Sequence, residues 1–158
     1  MRVGAMNHPA KDVIQEIRWI AEHGFDFVDL TLEHPAAAPG LLDLASIRRE
    51  LDRHQLGIVA HTAYYLNYAV PFRSVRRACR DEFSSALSAA RELGASVMTI
   101  HFSRPPRFFS EDEIVEWHLD VLKPLCEMGE QWHIRIALEH IPFPHCNQIG
   151  VIGKLLTA

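Results

Sequence analysis

Two imidazoles and a carboxylate each close a strand-like apolar run. His61 ends Leu56-Gly57-Ile58-Val59-Ala60-His61, His101 ends Ser96-Val97-Met98-Thr99-Ile100-His101, and Glu139 ends Ile134-Arg135-Ile136-Ala137-Leu138-Glu139. His61 and His101 stand 40 residues apart, His101 and Glu139 38. One strand, one helix and two loops occupy about that many residues in a β/α repeat. Equal spacing therefore puts all three on one rim of a parallel β/α barrel, the rim where such barrels carry their chemistry. Two histidines and one glutamate suit Zn2+, Mn2+ or Co2+ through borderline nitrogen and hard oxygen donors. A metal with open coordination positions polarises a carbonyl or generates hydroxide from water.

The elements that must position these residues alternate along the chain. Met1–Asn7 holds a short apolar run. Val13, Ile14, Ile17, Ile20 and Ala21 recur at helical spacing between Lys11 and His23, and Gly24 stops that helix. Phe25–Thr31 reads as strand two, Leu41–His54 as helix two, and the run ending at His61 as strand three. Ser74–Leu93 carries a stripe of Val75, Cys79, Phe83, Ala86, Leu87, Ala90 and Leu93, with Gly94 as its stop. Val97–His101 is strand four. Ser110 and Glu113 have the spacing of a capping box and open helix four, which Pro124 should kink or split. Ile134–Glu139 is strand five, and Ile149–Ala158 begins a fifth helix.

This order predicts a parallel sheet with helices outside. A doubly wound sheet would want a glycine-rich phosphate turn after strand one, and Met6-Asn7-His8-Pro9-Ala10 is not one. Polar residues at successive strand ends fit a barrel instead. Eight β/α units typically need about 250 residues, and this chain has 158. The expected fold is thus a single incomplete TIM-barrel domain of about five β/α units over residues 1–158.

Bulk properties exclude several classes. No apolar stretch reaches the ~18 residues of a membrane span. The start, Met1 to Met6, is too short and is broken too soon by His8-Pro9 to be a signal peptide, so the expected compartment is the cytoplasm. Cys79, Cys126 and Cys146 are widely spaced and odd in number, which is no disulfide framework. A formal net charge of −4 supplies no global field for nucleic acid.

Other residues could join the rim. His61 opens a loop containing Tyr64, Tyr65, Asn67 and Tyr68, suited to a substrate wall. Asp29 or Glu33 could reach the rim from strand two, and strand parity alone does not choose; Glu33 reads best as a solvated loop carboxylate. His8 and His140 are second-tier candidates. His23, His54, His118 and His133 read as surface residues. Arg73, Arg76 and Arg77 follow strand three, and Arg104 and Arg107 follow strand four, among Phe72, Phe102, Phe108 and Phe109. Guanidinium groups bind phosphate bidentately, so these loops predict an aromatic-walled pocket for a phosphorylated or anionic sugar-like ligand.

The residues also carry a family resemblance. Gly24-Phe25-Asp26-Phe27-Val28-Asp29-Leu30 resembles the second strand of the xylose isomerase-like TIM barrels. His61-x-x-Tyr64-x-x-Asn67 is similar to the third-strand motif of their endonuclease IV branch. Ala89 to Ala95 leading to His101 resembles the passage into strand four common to both branches, and Ala137-Leu138-Glu139 resembles the metal-binding end of strand five. The resemblance implies a divalent-metal sugar or sugar-phosphate isomerase or epimerase, or an apurinic-site phosphodiesterase. It makes Glu139 a metal ligand in either branch; His61 and His101 are ligands in the endonuclease branch and more often line the substrate pocket in the epimerase branch. At strand four the endonuclease pattern wants His-Pro-Gly where this chain has His101-Phe102-Ser103, and at strand five Glu-Asn where it has Glu139-His140.

The sequence therefore leads to an isomerase or epimerase of sugars. Its metal ligands are His61, His101 and Glu139. Glu139 shares in proton transfer, and Tyr64, Asn67, Arg104 and Arg107 contact substrate. Abasic-site cleavage is the alternative, and nucleic acid is a partner only there. A non-enzymatic binding fragment is the third reading. An incomplete barrel exposes strand edges, so self-association or a covering partner is expected.

Overall fold

In a computed structural model, five β/α units follow one another, described over residues 1–103, 105–106, 108–140 and 148–158. The elements are β1 (Gly4–Met6), α1 (Val13–Glu22), β2 (Phe27–Leu32), a 3-10 turn (Pro39–Leu41), α2 (Leu44–His54), β3 (Gly57–Thr62), α3 (Arg73–Leu93), β4 (Val97–His101), α4 (Glu111–Trp132), β5 (Arg135–Glu139) and α5 (Gln148–Leu155). The strands form one sheet in the order β1-β2-β3-β4-β5, and every pairing is parallel. This is a partial TIM barrel with an open sheet.

The two faces of the sheet differ because strand side chains alternate. Val28, Leu30 and Leu32 of β2, Ala60 of β3, and Met98 and Ile100 of β4 are buried. They join Ile17 and Ile20 of α1, Ile47 and Leu51 of α2, Phe83 and Leu87 of α3, and Val121 and Leu125 of α4 in one core. The opposite parity carries Asp29, His61, His101 and Glu139. Hydrophobic burial on the helix side thereby turns the polar residues to the concave side.

Local signals set the helix ends. Asp12 and Asp43 cap α1 and α2 by accepting from the Gln15 and Ser46 amides. The Asp43 cap starts α2 three residues later than expected, leaving Leu41 in the 3-10 turn. The capping box at Ser110 and Glu113 is present. Gly94 ends α3 at φ 77°, a left-handed conformation glycine adopts without cost. Gly129 serves a different need: a Cβ there would lie 2.5 Å from the Ile134 carbonyl, so its bare backbone lets α4 approach the start of β5.

Pro124 corrects one half of an expectation: it does not split the helix, and α4 runs unbroken from Glu111 to Trp132. A proline cannot donate to the carbonyl four residues earlier. That carbonyl belongs to Asp120, and Arg80 Nη1 donates to it from α3 at 3.4 Å. The neighbouring helix supplies the missing donor.

Candidate metal centre

The register brings the three expected ligands together. Thr31, His61 and Thr99 lie abreast on β2, β3 and β4, while His101 lies beside Glu139 across β4 and β5. His101 thus stands one same-face step further along its strand than His61. The long imidazoles close the offset: His61 Nε2 and His101 Nε2 are 2.8 Å apart, with ring centroids at 4.8 Å. Glu139 Oε2 is 3.2 Å from His61 Nε2 and 3.6 Å from His101 Nδ1.

Asp29 stands behind His61. Its carboxylate oxygens lie 3.2 and 3.3 Å from His61 Nδ1. A proton on Nδ1 donates to Asp29, which leaves the Nε2 lone pair facing the cluster. Carboxylates commonly orient metal-binding histidines in this way. Burial alone would push the His61 imidazole down. The Asp29 hydrogen bond and the charges of Asp29, Glu139 and Glu33 together outweigh it, so its pKa lies above the ordinary histidine value.

The donor set fits a metal. One ligand atom from each of His61, His101 and Glu139 lies within 4.8 Å of the other two. Four-coordinate zinc at about 2.0–2.1 Å from its donors holds those donors about 3.3 Å from one another. Glu139 Oε2 is also buried without a hydrogen-bond donor among the described residues, although the residue as a whole is half-buried. A buried carboxylate oxygen without a donor is costly, and a cation between the imidazoles and this oxygen removes that cost.

The surrounding loops partly follow the sequence expectations. Tyr64 is exposed and its ring meets His101 edge-on at 6.1 Å. Tyr65 packs against Tyr64 and bonds the Glu33 side chain. Glu33 is half-buried rather than a solvated loop carboxylate. Burial raises its pKa, with the Tyr65 hydrogen bond and the His61 charge opposing. Asn67 accepts a hydrogen bond from Ser103 Oγ, which itself accepts from the Ala69 amide. Asn67 therefore staples the loop after β3 to the loop after β4, through a buried serine whose type gave no signal in the sequence.

Several residues fall elsewhere. Arg104 and Arg107 lie outside the described residues. Arg73, Arg76 and Arg77 do not join the cluster; Arg73 and Arg77 line a separate cleft with Asp120 of α4, and Arg76 pairs with Asp120. His8 holds a turn, its Nδ1 accepting from the Ala10 amide. His118, expected on the surface, is fully buried. Its ring stacks on Phe102, the residue after His101, and meets Tyr68 edge-on. Helical periodicity could have flagged it, since His118 falls on the same side of α4 as Val121, Leu122 and Leu125.

Residues 17–157 match the xylose isomerase-like TIM barrel family. The chain belongs to that family. It is 30% identical over 139 residues to an uncharacterized protein of Methanocaldococcus jannaschii, covering 85% of this chain and 45% of that protein. The crystal structure of a D-tagatose 3-epimerase-like protein superposes with a TM-score of 0.80 at 26% identity, over 92% of this chain and 55% of the other. The IolI protein with a bound zinc atom shares the fold with a TM-score of 0.79 at 15% identity, over 99% of this chain and 59% of the other. The chain spans about half the length of the relatives it matches. No helix among the described residues is long and apolar enough to cross a membrane.

Proposed function

We propose that this chain is the metal-ligating part of a divalent-metal-dependent sugar or sugar-phosphate isomerase or epimerase. The carrying observation is the convergence of His61, His101 and Glu139 at three neighbouring strand ends, with Glu139 Oε2 buried and without a hydrogen-bond donor among the described residues. Support comes from the likeness to a D-tagatose 3-epimerase-like protein and to a zinc-bound barrel. Zn2+, Mn2+ or Co2+ bound there supplies polarisation of a sugar carbonyl.

In this reading each residue has a defined task. His61 and His101 present imidazole nitrogens, and Asp29 holds the His61 ring in place. Glu139 ligates and moves a proton at the carbon beside the carbonyl. Tyr64 walls the sugar next to His101, and Asn67 contacts it from the stapled loop. Arg104 and Arg107 hold a phosphate where the sugar carries one. The chain acts in the cytoplasm. The abasic-site reading draws no support from the sugar epimerase-type likeness.

The open edges of β1 and β5 extend the proposal to self-association or a covering partner. Sedimentation velocity that shows a single monomer at all concentrations would remove the self-association part.

Elemental analysis of the purified chain tests the centre. One divalent ion per chain is expected, lost in Glu139→Gln and in His61→Ala. Deuterium uptake by a ketohexose from heavy water then tests proton transfer. A metal-free wild type that also fails to take up added Zn2+ would sink the metal reading.

A further inference from the structure

A second charged site lies on the helical side of the sheet. Arg73, Ser74, Arg77 and Arg80 of α3, with Asp120 of α4, line a cavity of about 450 Å3. None of these residues belongs to the metal cluster. With Arg76, the four arginines occupy one stripe over the first turns of α3, since positions three, four and seven apart share a helix face.

These arginines are not equivalent. Arg76 is committed: its Nε lies 2.6 Å from Asp120 Oδ2, and its Nη1 donates to the carbonyls of Val70 and Pro71 at 2.8 and 3.0 Å. It neutralises the one acid among the described lining residues. Arg80 donates to the Asp120 carbonyl that Pro124 leaves without a helix donor. Arg73 and Arg77 have neither a hydrogen bond nor an ion pair with the described residues. Two guanidinium groups without a partner among the described residues thus line a cavity whose one acid among those residues is already paired.

The placement works against the helix. Arg73 and Arg77 are like charges four apart, and so are Arg76 and Arg80, which repel. They crowd the positive end of the helix dipole. Helix α3 has no acidic residue in its first turn, and Phe72 at its N-cap supplies no side-chain acceptor. An anion between the arginines reverses the sign of both effects. Asp112, Glu116 and Lys123 of α4 line an adjoining hollow with Arg73 and Arg76.

We propose that this cleft binds the phosphoryl group of a small phosphate ester. Guanidinium forks match phosphate oxygens bidentately, and the Ser74 hydroxyl adds a donor. Phe72 and Val75, exposed in the same turn, offer apolar surface to the carbon part of the ester. The site stands apart from the metal reading, because it shares no residue with the cluster.

Titration of inorganic phosphate, and separately of a hexose 6-phosphate, into the chelator-treated chain tests this by amide chemical shifts. Saturable binding in the millimolar range or tighter is expected, with shifts at Ser74, Arg77 and Arg80 and weakening at high salt. The double variant Arg73→Gln/Arg77→Gln should lose about tenfold or more in affinity while keeping its circular dichroism. Glu139→Gln should bind phosphate like wild type. Unchanged phosphate affinity in the double variant would overturn the assignment, as would inorganic phosphate that leaves Ser74, Arg77 and Arg80 unshifted. A DNA oligonucleotide that displaces the ester with an affinity growing with its length would assign the arginines to a nucleic-acid backbone and overturn the small-ester proposal.

Discussion

Asparagine at position 29 isolates the carboxylate behind His61. Asp29→Asn keeps the shape and an acceptor oxygen but removes the charge that lies 3.2 Å from His61 Nδ1. Groups that orient a metal-binding histidine are worth about 10–100-fold in metal affinity, or roughly 1.4–2.7 kcal/mol. The His61 side chain is only 8% exposed, so solvent does little to replace the lost charge. Competition for Zn2+ against a chromophoric chelator reads the loss. The pH dependence adds a second signature. Asp29 raises the His61 pKa against the effect of burial, so it strengthens proton binding at Nε2 as well as metal binding. The gap between wild type and variant should be widest above the His61 pKa and shrink as acid protonates the wild-type imidazole first. Equal affinities at alkaline pH, or a gap that does not change with pH, would refute the assignment of Asp29 as the group that orients His61.

Other perturbations test the frame. Burial pushes the His118 imidazole down to about 4, with its bond to the Ile114 carbonyl opposing. The unfolded chain binds that proton near the ordinary value of 6.5, so stability should be full above that pH and fall by about 3 kcal/mol as pH drops to 4. Urea unfolding across this window should show a shallower slope in His118→Phe; an unchanged slope would count against the buried neutral imidazole. Gly129→Ala should destabilise by about 1–3 kcal/mol, because its Cβ would lie 2.5 Å from the Ile134 carbonyl; a variant at least as stable as wild type would contradict the close approach of α4 to β5. Ser110→Ala should cost about 1 kcal/mol in thermal unfolding through loss of the α4 cap.

Much of the frame was legible because it is local. Periodicity located the helices and strands, with ends displaced by at most three residues. Asp43 moved the start of α2 by capturing the Ser46 amide, a choice between neighbouring caps that composition does not make. That Pro124 leaves α4 unsplit was not legible, because the cost of a proline depends on whether another element can serve the Asp120 carbonyl, and Arg80 is 44 residues from Pro124 in the chain. His118 was misread because a histidine on a helix is judged by its polarity, whereas its burial comes from Phe102 and Tyr68 on two different loops.

The same division runs through the site. Chemical type and strand-end position, both local, marked His61, His101 and Glu139 before any contact was known. The order of strands and helices carried the parallel fold. Only the tertiary structure decided that Asp29 backs His61 while Glu33 bonds Tyr65, and that Asn67 staples a loop. It also decided that Arg76 is paired with Asp120 where Arg73 and Arg77 have no partner among the described residues. These outcomes turn on strand register and on the facing of α3 and α4, which depend on packing between distant segments and leave no trace in the spacing along one chain.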